Sequence, residues 1–365
     1  MPGAEKINGE WIKRYKNPWL IAGPCSVESE EQLLDITEKV AAQGVKVIRA
    51  GIWKPRTRPN SFEGVGAKAF DWIKSARSQF QVQFATEVAS AQHVEQALKN
   101  DIDILWLGAR TTVNPFTVQE IADALQGTDI PVLVKNPVNP DLALWIGAIE
   151  RIYNAGISKI GAIHRGFSSF RKSQFRNEPV WQIPLELKRN IPEIPLICDP
   201  SHISGNRDMI FDISQKALDM GYNGLMIEVH PDPDKALSDA QQQITSDQLS
   251  EIRKNLKIRK ATSNNVLFKN KLEELRDKID SIDHDLLETL SNRMKVIGLI
   301  GEYKRDNNVT IFQLERWNEI IKSRPDWAEA LGLGREFIED LYKLIHTESI
   351  KNQTNILNQH TSKSK

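Results

Sequence analysis

The sequence predicts an α/β fold, a closed (β/α)8 TIM barrel, followed along the chain by an all-α segment. Eight short apolar runs lie between about residues 19 and 229, helical patterns alternate with them, and the strand-like runs stop beyond Phe268. Alternating strands and helices are typical of a parallel sheet, and eight such units are what a closed barrel needs. An open, doubly wound sheet is the alternative architecture.

The predicted strands have the length of buried strands, about six residues each. Helical patterns between them include residues 31–43, 90–100 and 140–156, and a last barrel helix runs through residues 246–258. The eight strands are predicted at residues 19–24, 45–50, 82–87, 103–108, 131–136, 159–164, 195–200 and 224–229.

The chain changes character after the barrel, where short polar residues are typical of a linker. From Phe268, apolar residues recur at spacings of three, four and seven, which predicts one long amphipathic helix to about Arg305. Its apolar stripe needs a packing partner. Two shorter helices are predicted near residues 314–324 and 334–353. We therefore expect a barrel, a linker, a helical domain and a flexible tail at residues 1–258, 259–267, 268–355 and 356–365.

Composition excludes several classes of function. The 365 residues include 48 Lys plus Arg and 48 Asp plus Glu, and this zero net charge argues against nucleic acid or a membrane surface as a partner. No run approaches the roughly 18 apolar residues that span a bilayer. Only Cys25 and Cys198 occur, and the N-terminus lacks the apolar stretch of a signal peptide, which predicts a cytoplasmic protein without a disulfide framework.

Potential metal ligands collect at the carboxyl ends of the predicted strands, where TIM barrels place their active sites. A thiolate, an imidazole and two carboxylates suit Mn²⁺, Fe²⁺, Co²⁺ or Zn²⁺ better than Mg²⁺. Asp199 is expected to cap a helix or to orient a ligand, and Cys198 to be a small core residue. The four candidate ligands are Cys25, His202, Glu228 and Asp239.

Five cations lie at or just beyond the strand ends: Arg49, Lys54, Arg110, Lys135 and Arg165. In one barrel mouth they would repel one another unless anions neutralised them, so a substrate with phosphate and carboxylate groups is expected. Prolines stiffen the loop that carries Lys54, which lowers the entropy lost when a substrate is clamped. A solvated basic turn is the plain alternative for this loop.

The motifs around these residues resemble those of 3-deoxy-D-arabino-heptulosonate 7-phosphate (DAHP) synthase, the first enzyme of the shikimate pathway, in its compact type. The resemblance covers about residues 18–258 and implies a (β/α)8 barrel that condenses phosphoenolpyruvate with erythrose 4-phosphate. Asn136-Pro137 departs from the family pattern, which often has Arg or Lys and then Gly. The matching motifs are GPCSVES, GIWKPRTRPNSF, LGAR, LVK, HRG, CDPSH and GLMIEVHPDPDKALSDA.

The resemblance also implies roles for individual residues. The five cations hold phosphoenolpyruvate, Lys54 is catalytic, Arg56 and Thr57 receive the aldose phosphate, and the metal ligands are Cys25, His202, Glu228 and Asp239. The cofactor is then a divalent ion, with Mn²⁺ the first choice and Co²⁺, Fe²⁺ or Zn²⁺ as alternatives. The ion polarises the aldehyde oxygen for attack by phosphoenolpyruvate, and phosphate is released after water adds.

A second group of cations lies on the long predicted helix. Arg293 and Lys304 are eleven residues apart, which places them within roughly 20° of each other around the helix. Ile297 and Ile300 share that face, so the two cations border an apolar stripe that is expected to be buried. Arg276 lies about 100° away around the helix and points elsewhere. Surface cations with buried stems are the alternative reading.

The stretch LRDKIDSIDHDLLETLSNRMKVIGLIGEYK resembles the first helix of the all-helical chorismate mutases, which are intertwined dimers in which an arginine of one chain completes the other chain's site. The resemblance covers about residues 268–353 and implies conversion of chorismate to prephenate in a homodimer. Ile311 and Leu314 stand where the family often has Asp and Arg. The resemblance assigns the substrate carboxylates to Arg276 and Arg293, the ether oxygen to Lys304 and Gln353, and the hydroxyl region to Glu315 and Ser349.

Two enzymes of one pathway on one chain form the leading hypothesis, with prephenate as a candidate effector that slows the barrel. One alternative is a DAHP synthase with a non-catalytic ligand-sensing or dimerisation domain. The other is a sugar-acid synthase of the same barrel type that uses a pentose phosphate or an amino sugar.

Overall fold

The computed structural model describes residues 7–55, 61–170, 173–260 and 262–358. Arg56 and Thr57, which were expected to receive the aldose phosphate, lie outside the described residues. The chain divides into two units, one up to residue 261 and the other from residue 262. None of the described helices combines the length and the apolar character needed to cross a bilayer.

The first unit is a closed barrel of eight parallel strands in chain order, in which the first strand pairs with both the second and the eighth. This confirms the predicted (β/α)8 fold, and every strand boundary lies within two residues of its prediction. The strands are β1 Trp19–Gly23, β2 Val47–Arg49, β3 Gln83–Val88, β4 Ile104–Leu107, β5 Val132–Lys135, β6 Ile160–His164, β7 Leu196–Cys198 and β8 Gly224–Glu228.

Helices follow the strands, and several begin with a side chain that caps a free backbone N–H group. Ser29 accepts a hydrogen bond from the Gln32 backbone, and Thr245 forms a capping box with Gln248. A 3-10 helix, Gly9–Arg14, precedes the barrel. The barrel helices are α1 Glu30–Ala42, α2 Ala69–Gln79, α3 Ala91–Lys99, α4 Ala109–Thr112, α5 Pro115–Leu125, α6 Leu142–Asn154, α7 Gln182–Asn190, α8 Pro200–Ser204, α9 Ile210–Asp219 and α10 Ser246–Asn255.

The strands are almost entirely buried, because alternate side chains fill the barrel interior while the others pack under the helices. Cys198 belongs to the outer layer and is fully buried, as expected of a small core residue. The interior layer consists of Trp19, Ile21, Val47, Ala85, Ile104, Trp106, Leu133, Ile163, Ile197 and Met226.

The second unit contains three helices, α11 Val266–Asp306, α12 Leu314–Ala330 and α13 Arg335–Asn358. The long helix predicted from Phe268 to Arg305 is confirmed, with its ends within two residues of the prediction. Residues 356–358 were expected in a flexible tail, but they continue α13; the rest of that tail lies outside the described residues.

The apolar stripe of α11 is only partly covered. Near Gly301 the helix packs closely on α13, because a Cβ atom there would lie 3.2 Å from Gln353 Cγ. Ile300, which was expected to be buried, is 40% exposed. Toward the start of α11, the described residues of the chain leave four large apolar side chains about half exposed: Leu275, Ile279, Ile282 and Leu286.

Candidate active sites

Three of the predicted metal ligands meet at the carboxyl ends of the strands. Cys25 follows β1, Glu228 ends β8, and Asp239 lies in the loop after β8. One donor atom from each residue lies within 4.8 Å of the other two, and Cys25 Sγ is 3.3 Å from Asp239 Oδ2. Cys25 and Glu228 are fully buried. A thiol and two carboxylates at this spacing can share one borderline divalent ion.

His202, the fourth predicted ligand, lies beside this group and not within it. Its Nδ1 atom is 2.9 Å from Asp199 Oδ2 and 3.7 Å from Glu228 Oε1. His202 Nδ1 and Glu228 Oε1 are both buried, and neither forms a hydrogen bond of regular geometry with the described residues. Asp199 also accepts a hydrogen bond from the His202 backbone, which is the capping role expected of it. Two buried polar atoms that have only ion-pair contacts favour a ligand between them.

Neighbouring charges keep the two carboxylates ionised. Burial opposes the charge of Glu228, but His202, Arg49 and Lys54 outweigh it and hold the Glu228 pKa below its ordinary value. Arg49 Nη2 lies 3.0 Å from Glu228 Oε1, and both side chains are buried. Burial likewise opposes the charge of Asp239, yet Lys54 and His202 hold its pKa well below the ordinary range. Ionised carboxylates are the form that binds a metal ion.

Cys25 is fixed by contacts to both its sulfur and its backbone. Burial raises the pKa of this thiol, so a cation is needed to favour the thiolate. Lys54 Nζ lies 2.8 Å from Cys25 Sγ, and the Cys25 backbone N–H donates to Gln243 Oε1 at 3.0 Å. These contacts fix the direction of the sulfur. A divalent ion in the same place would also favour the thiolate.

The predicted cations line the opening above these ligands. Lys135 is buried against Asp199 with Nζ and Oδ2 2.7 Å apart, while burial lowers the pKa of Arg165 to about 10, which leaves it charged at neutral pH. Arg49, which was expected at the same opening, is buried, pairs with Glu228 and is not among the residues that line the cleft there. The cleft at this opening is lined by Lys54, Pro55, Glu87, Ala109, Arg110, Lys135, Val138, Arg165, Arg176, His202 and Asp239.

The loop after β6 holds Arg165 through two asparagines. Asn136 Oδ1 accepts from the Arg165 backbone at 2.7 Å, and Asn177 Oδ1 accepts from Arg165 Nη1 at 2.6 Å. Asn136 also donates to the Gly166 carbonyl at 2.8 Å. The residue that departs from the family pattern therefore orients the neighbouring arginine.

The base of the Lys54 loop is anchored by backbone and ring contacts. The Lys54 backbone N–H donates to the Glu63 carbonyl at 2.8 Å. The Trp53 ring stacks on His93, with centroids 3.9 Å apart and planes at 3°. Lys54 is thereby fixed at the start of its loop.

Two side chains at the site were not identified from the sequence. Arg176 Nη1 lies 3.1 Å from Asp239 Oδ1, and Gln242 Nε2 donates to Glu228 Oε2 at 2.6 Å. The position of Arg176 in a loop that follows a strand end was a usable signal. Gln242 lies in a run of three glutamines that offers none.

In the helical unit, Arg293 and Ser349 meet. Arg293 Nη1 donates to Ser349 Oγ at 2.9 Å, and burial lowers the pKa of Arg293. Gln353 is buried on the same face of α13 and packs against Gly301. Lys304 follows on α11, where its Nζ donates to the Ile311 carbonyl at 2.6 Å. A guanidinium, a hydroxyl and an amide therefore lie along one interface between α11 and α13.

The other two predicted residues of this unit, Arg276 and Glu315, are exposed. Arg276 is exposed and pairs with Glu273 on its own helix at 2.6 Å. It precedes Arg293 by seventeen residues, which is about 25 Å along a continuous helix. Glu315 is exposed on the first turn of α12. The structure of one chain therefore separates Arg276 from Arg293.

Comparison with known proteins identifies both units. Residues 9–264 match the model of the DAHP synthetase I family, and residues 275–354 match that of chorismate mutase type II. The phospho-2-dehydro-3-deoxyheptonate aldolase of Thermotoga maritima is 33% identical over 238 residues, which cover 65% of this chain and 68% of that protein.

Two further matches concern the barrel. The 2-dehydro-3-deoxyphosphooctonate aldolase of Desulfotalea psychrophila is 30% identical over 252 residues, covering 64% of this chain and 86% of that protein. A crystal structure of the DAHP synthase from Thermotoga maritima superimposes with a TM-score of 0.59 at 31% identity, covering 65% of this chain and 67% of that one.

Proposed function

Because the chain belongs to the DAHP synthetase I family, we propose that its barrel joins phosphoenolpyruvate to erythrose 4-phosphate, giving DAHP and phosphate, and that its helical unit converts chorismate to prephenate. Both reactions belong to the shikimate pathway. The observation that carries the barrel reaction is the group of Cys25, Glu228 and Asp239 donor atoms, within 4.8 Å of one another at the edge of a cationic cleft.

The proposed cofactor is one divalent ion held by Cys25, Glu228 and Asp239, with His202 as the fourth ligand. Mn²⁺ is the first choice, and Fe²⁺, Co²⁺ and Zn²⁺ also suit these donors. When bound, such an ion supplies Lewis-acid polarisation of the aldehyde oxygen. His202 Nδ1 and Glu228 Oε1 support this assignment, because both are buried, lie 3.7 Å apart and lack a regular hydrogen bond among the described residues.

The cations of the cleft would bind and orient the two phosphorylated substrates. Arg165 and Arg110 offer planar forks to phosphate or carboxylate oxygens, and Lys135 offers a point charge. Substrates held side by side react as if in one molecule: C3 of phosphoenolpyruvate attacks the aldehyde carbon, water adds at C2, and the C–O bond to phosphate breaks. The same cations stabilise the departing phosphate.

Lys54 is the proposed hydrogen-bond donor at the reacting centre. Burial opposes its charge, but Cys25, Glu228 and Asp239 outweigh burial and raise its pKa. Its Nζ is 2.8 Å from Cys25 Sγ and 3.9 Å from Asp239 Oδ2, beside the proposed ion. A permanently charged ammonium there stabilises the oxygen that becomes negative when the C–C bond forms.

Chelation and a substrate panel test the barrel proposal. We expect EDTA to abolish DAHP formation, added Mn²⁺ to restore it, and mutase activity of the same sample to remain as an internal control. Erythrose 4-phosphate should be preferred over a pentose phosphate. Unchanged synthase turnover in metal-free buffer, or a preference for the pentose phosphate, would overturn the proposal in favour of the alternative sugar-acid synthase.

The proposed mutase chemistry needs no covalent step. Arg293, whose Nη1 lies 2.9 Å from Ser349 Oγ, would bind a substrate carboxylate, and Ser349 would contact the hydroxyl region. Lys304 would place its charge beside the ether oxygen that breaks. Lys304→Ala should therefore lower kcat far more than it raises KM. Equal losses in both parameters would argue against that role. If the wild-type chain has no mutase activity, the helical unit would instead be a non-catalytic ligand-sensing or dimerisation domain.

We propose that the helical unit forms a homodimer, in which a second copy covers the exposed stripe of α11 and supplies Arg276. The 25 Å separation between Arg276 and Arg293, from the helical rise, supports this. Ile279→Lys should give a monomer by sedimentation and abolish mutase activity. His284→Lys, about 140° away around the helix, is the matched control and should change neither. A dimeric Ile279→Lys variant would refute this interface.

Prephenate bound to the helical unit is the proposed feedback signal to the barrel. We expect prephenate to slow DAHP formation in the wild-type chain and not in Arg293→Ala, whose mutase site has lost its guanidinium. Equal inhibition of both chains would argue against this route.

The free thiols of Cys25 and Cys198 support the proposed cytoplasmic location, where thiols stay reduced.

A further inference from the structure

Arg176 and Gln242 form a bridge between two of the proposed metal ligands. Arg176 Nη1 lies 3.1 Å from Asp239 Oδ1 and donates to Gln242 Oε1 at 2.6 Å. Gln242 Nε2 in turn donates to Glu228 Oε2 at 2.6 Å. Three short contacts thus connect Asp239 to Glu228 through side chains with no assigned role in binding substrate.

The orientation of the Gln242 amide depends on Arg176. The Gln242 side chain is fully buried, and its amide has an acceptor at one end and donors at the other. Since Arg176 can only donate, it fixes Oε1 on its own side and turns the NH2 group toward Glu228. The reversed amide would place two oxygens against each other. Arg176 and the Glu228 carboxylate thus fix the amide together, and Arg176 supports a contact to Glu228 that it does not make itself.

The backbone of the same segment is held in an unfavourable conformation. Asp239 has φ of 51°, in the left-handed region, which side chains other than Gly adopt at some cost. Gln243 Nε2 donates to the Ser238 carbonyl at 2.8 Å, and the Gln242 backbone donates to the Asp239 carbonyl at 3.2 Å. Such conformations persist where surrounding contacts determine them. These hydrogen bonds therefore fix the backbone from which the Asp239 carboxylate extends.

We infer that Arg176 and Gln242 are positioning residues that act as one unit, holding Asp239 and Glu228 in place for the metal ion. This rests on the proposed metal-dependent function. Loss of a hydrogen-bonding partner of a metal ligand typically weakens metal binding by about 10- to 100-fold. Because Gln242 depends on Arg176 for its orientation, removing both should weaken binding little more than removing one.

Mn²⁺ binding to the full-length, metal-free protein without substrates tests this, with free Mn²⁺ measured by its EPR signal. Arg176→Gln and Gln242→Leu should each raise the Mn²⁺ Kd about 10- to 100-fold. The Kd of the double variant should be little higher than that of the weaker-binding single variant. Arg110→Gln is the matched control, because Arg110 lines the same cleft and touches none of the ligands. Its Mn²⁺ Kd should stay at the wild-type value.

The outcomes separate the inference from the function on which it rests. Wild-type Kd values in Arg176→Gln and Gln242→Leu would overturn the positioning role and leave Arg176 a substrate-binding residue like Arg110. If the fold-increases in Mn²⁺ Kd of the two single variants multiply in the double variant, Arg176 and Gln242 do not act as one unit. No Mn²⁺ binding by the wild-type chain would instead overturn the proposed function. Urea unfolding followed by tryptophan fluorescence in each variant reports on intact folding of the barrel.

A different observation concerns His346 in the helical unit. Its Nε2 atom is buried and has no hydrogen-bond partner among the described residues. The ring stacks on Trp317, with centroids 4.0 Å apart and planes at 19°, and Phe312 packs edge-on at 5.9 Å. These aromatic contacts hold the imidazole in one orientation.

His346 lies on the same face of α13 as Ser349 and Gln353, at spacings of three and seven. Burial and the charge of Arg293 lower its pKa, so the ring lies within electrostatic range of Arg293 and is neutral at neutral pH. Gln353 Oε1 is also buried without a partner among the described residues. Unsatisfied buried groups beside a guanidinium match a ligand with carboxylate and hydroxyl groups.

We infer that His346 contacts the substrate of the mutase and donates a hydrogen bond from Nε2 to a substrate oxygen. This rests on the proposed mutase function. His346→Phe keeps an aromatic ring against Trp317 and removes the nitrogen, so it should lower kcat/KM about 10- to 100-fold, the size of one hydrogen bond to a charged group. His346→Gln restores a donor and should recover most of that loss.

Thr347→Val is the matched control, since Thr347 is exposed on the neighbouring face and should leave the kinetics unchanged. Wild-type kinetics in His346→Phe, or no recovery in His346→Gln, would overturn the inference. Absence of mutase activity in the wild-type chain would overturn the proposed function instead.

Discussion

Mild acid should destabilise the barrel through His164, a buried histidine next to Arg165. His164 Nε2 lies 2.6 Å from the Pro179 carbonyl, and Nδ1 lies 2.9 Å from the Tyr222 hydroxyl. The carbonyl can only accept, so Nε2 carries the hydrogen and Nδ1 accepts from Tyr222. Burial, opposed only partly by the Pro179 contact, lowers the His164 pKa from 6.5 to about 3.

The size and sign of the effect follow from proton linkage. Between pH 6.5 and 3 the unfolded chain binds a proton at His164 and the folded chain does not. The free energy of unfolding therefore falls by about 1.4 kcal/mol for each pH unit below 6.5. This stability is complete above the unfolded pKa and is lost as pH falls toward the folded pKa. At pH 5.5 the expected loss is about 1.4 kcal/mol.

Urea unfolding at pH 7.5 and 5.5, followed by tryptophan fluorescence, measures this loss. Trp181 packs edge-on against His164 with centroids 5.2 Å apart and reports on the region. We expect His164→Gln to be less stable at pH 7.5 but to show a pH difference smaller than the wild type by about 1.4 kcal/mol. The same pH difference in both proteins would show that His164 is not the source of the acid sensitivity.

Two further predictions concern the two sites. Gly301→Val should lower mutase activity in a chorismate assay, because a Cβ atom there would lie 3.2 Å from Gln353 Cγ. Gly298→Val, whose nearest neighbour would be at 3.7 Å, should not, and equal losses would contradict this. Lys135→Met should reduce the free energy of unfolding in urea by about 3–5 kcal/mol, because it leaves Asp199 buried without its ammonium partner. A loss below about 1 kcal/mol would contradict that account.

The barrel was predictable because its signal is local. Each strand is a short apolar run between turn residues, and the carboxyl ends of parallel strands meet at one mouth, so sequence order alone indicated that Cys25 and Glu228 would converge. The distance of His202 from the ligand group depends on the start of α8 and on its contact with Asp199. Packing sets this distance, and no periodic pattern in the sequence indicates it.

Contacts between distant loops were not predictable. Arg176 and Asp239 are 63 residues apart and meet only because two loops close over the barrel mouth. Asn136 was read as a departure from the family pattern, and its hydrogen bonds to the neighbouring loop emerge only in the fold. In the helical unit, the periodicity indicated a stripe that needs a partner, and one chain leaves much of it exposed.

The proposed barrel reaction depends on one divalent ion held where Cys25, Glu228 and Asp239 converge. An anomalous-difference map from crystals grown with Mn²⁺ tests this most directly. We expect one peak per chain, bonded to these three residues and to His202. A map with no peak there, or with the ion bound elsewhere on the chain, would contradict it.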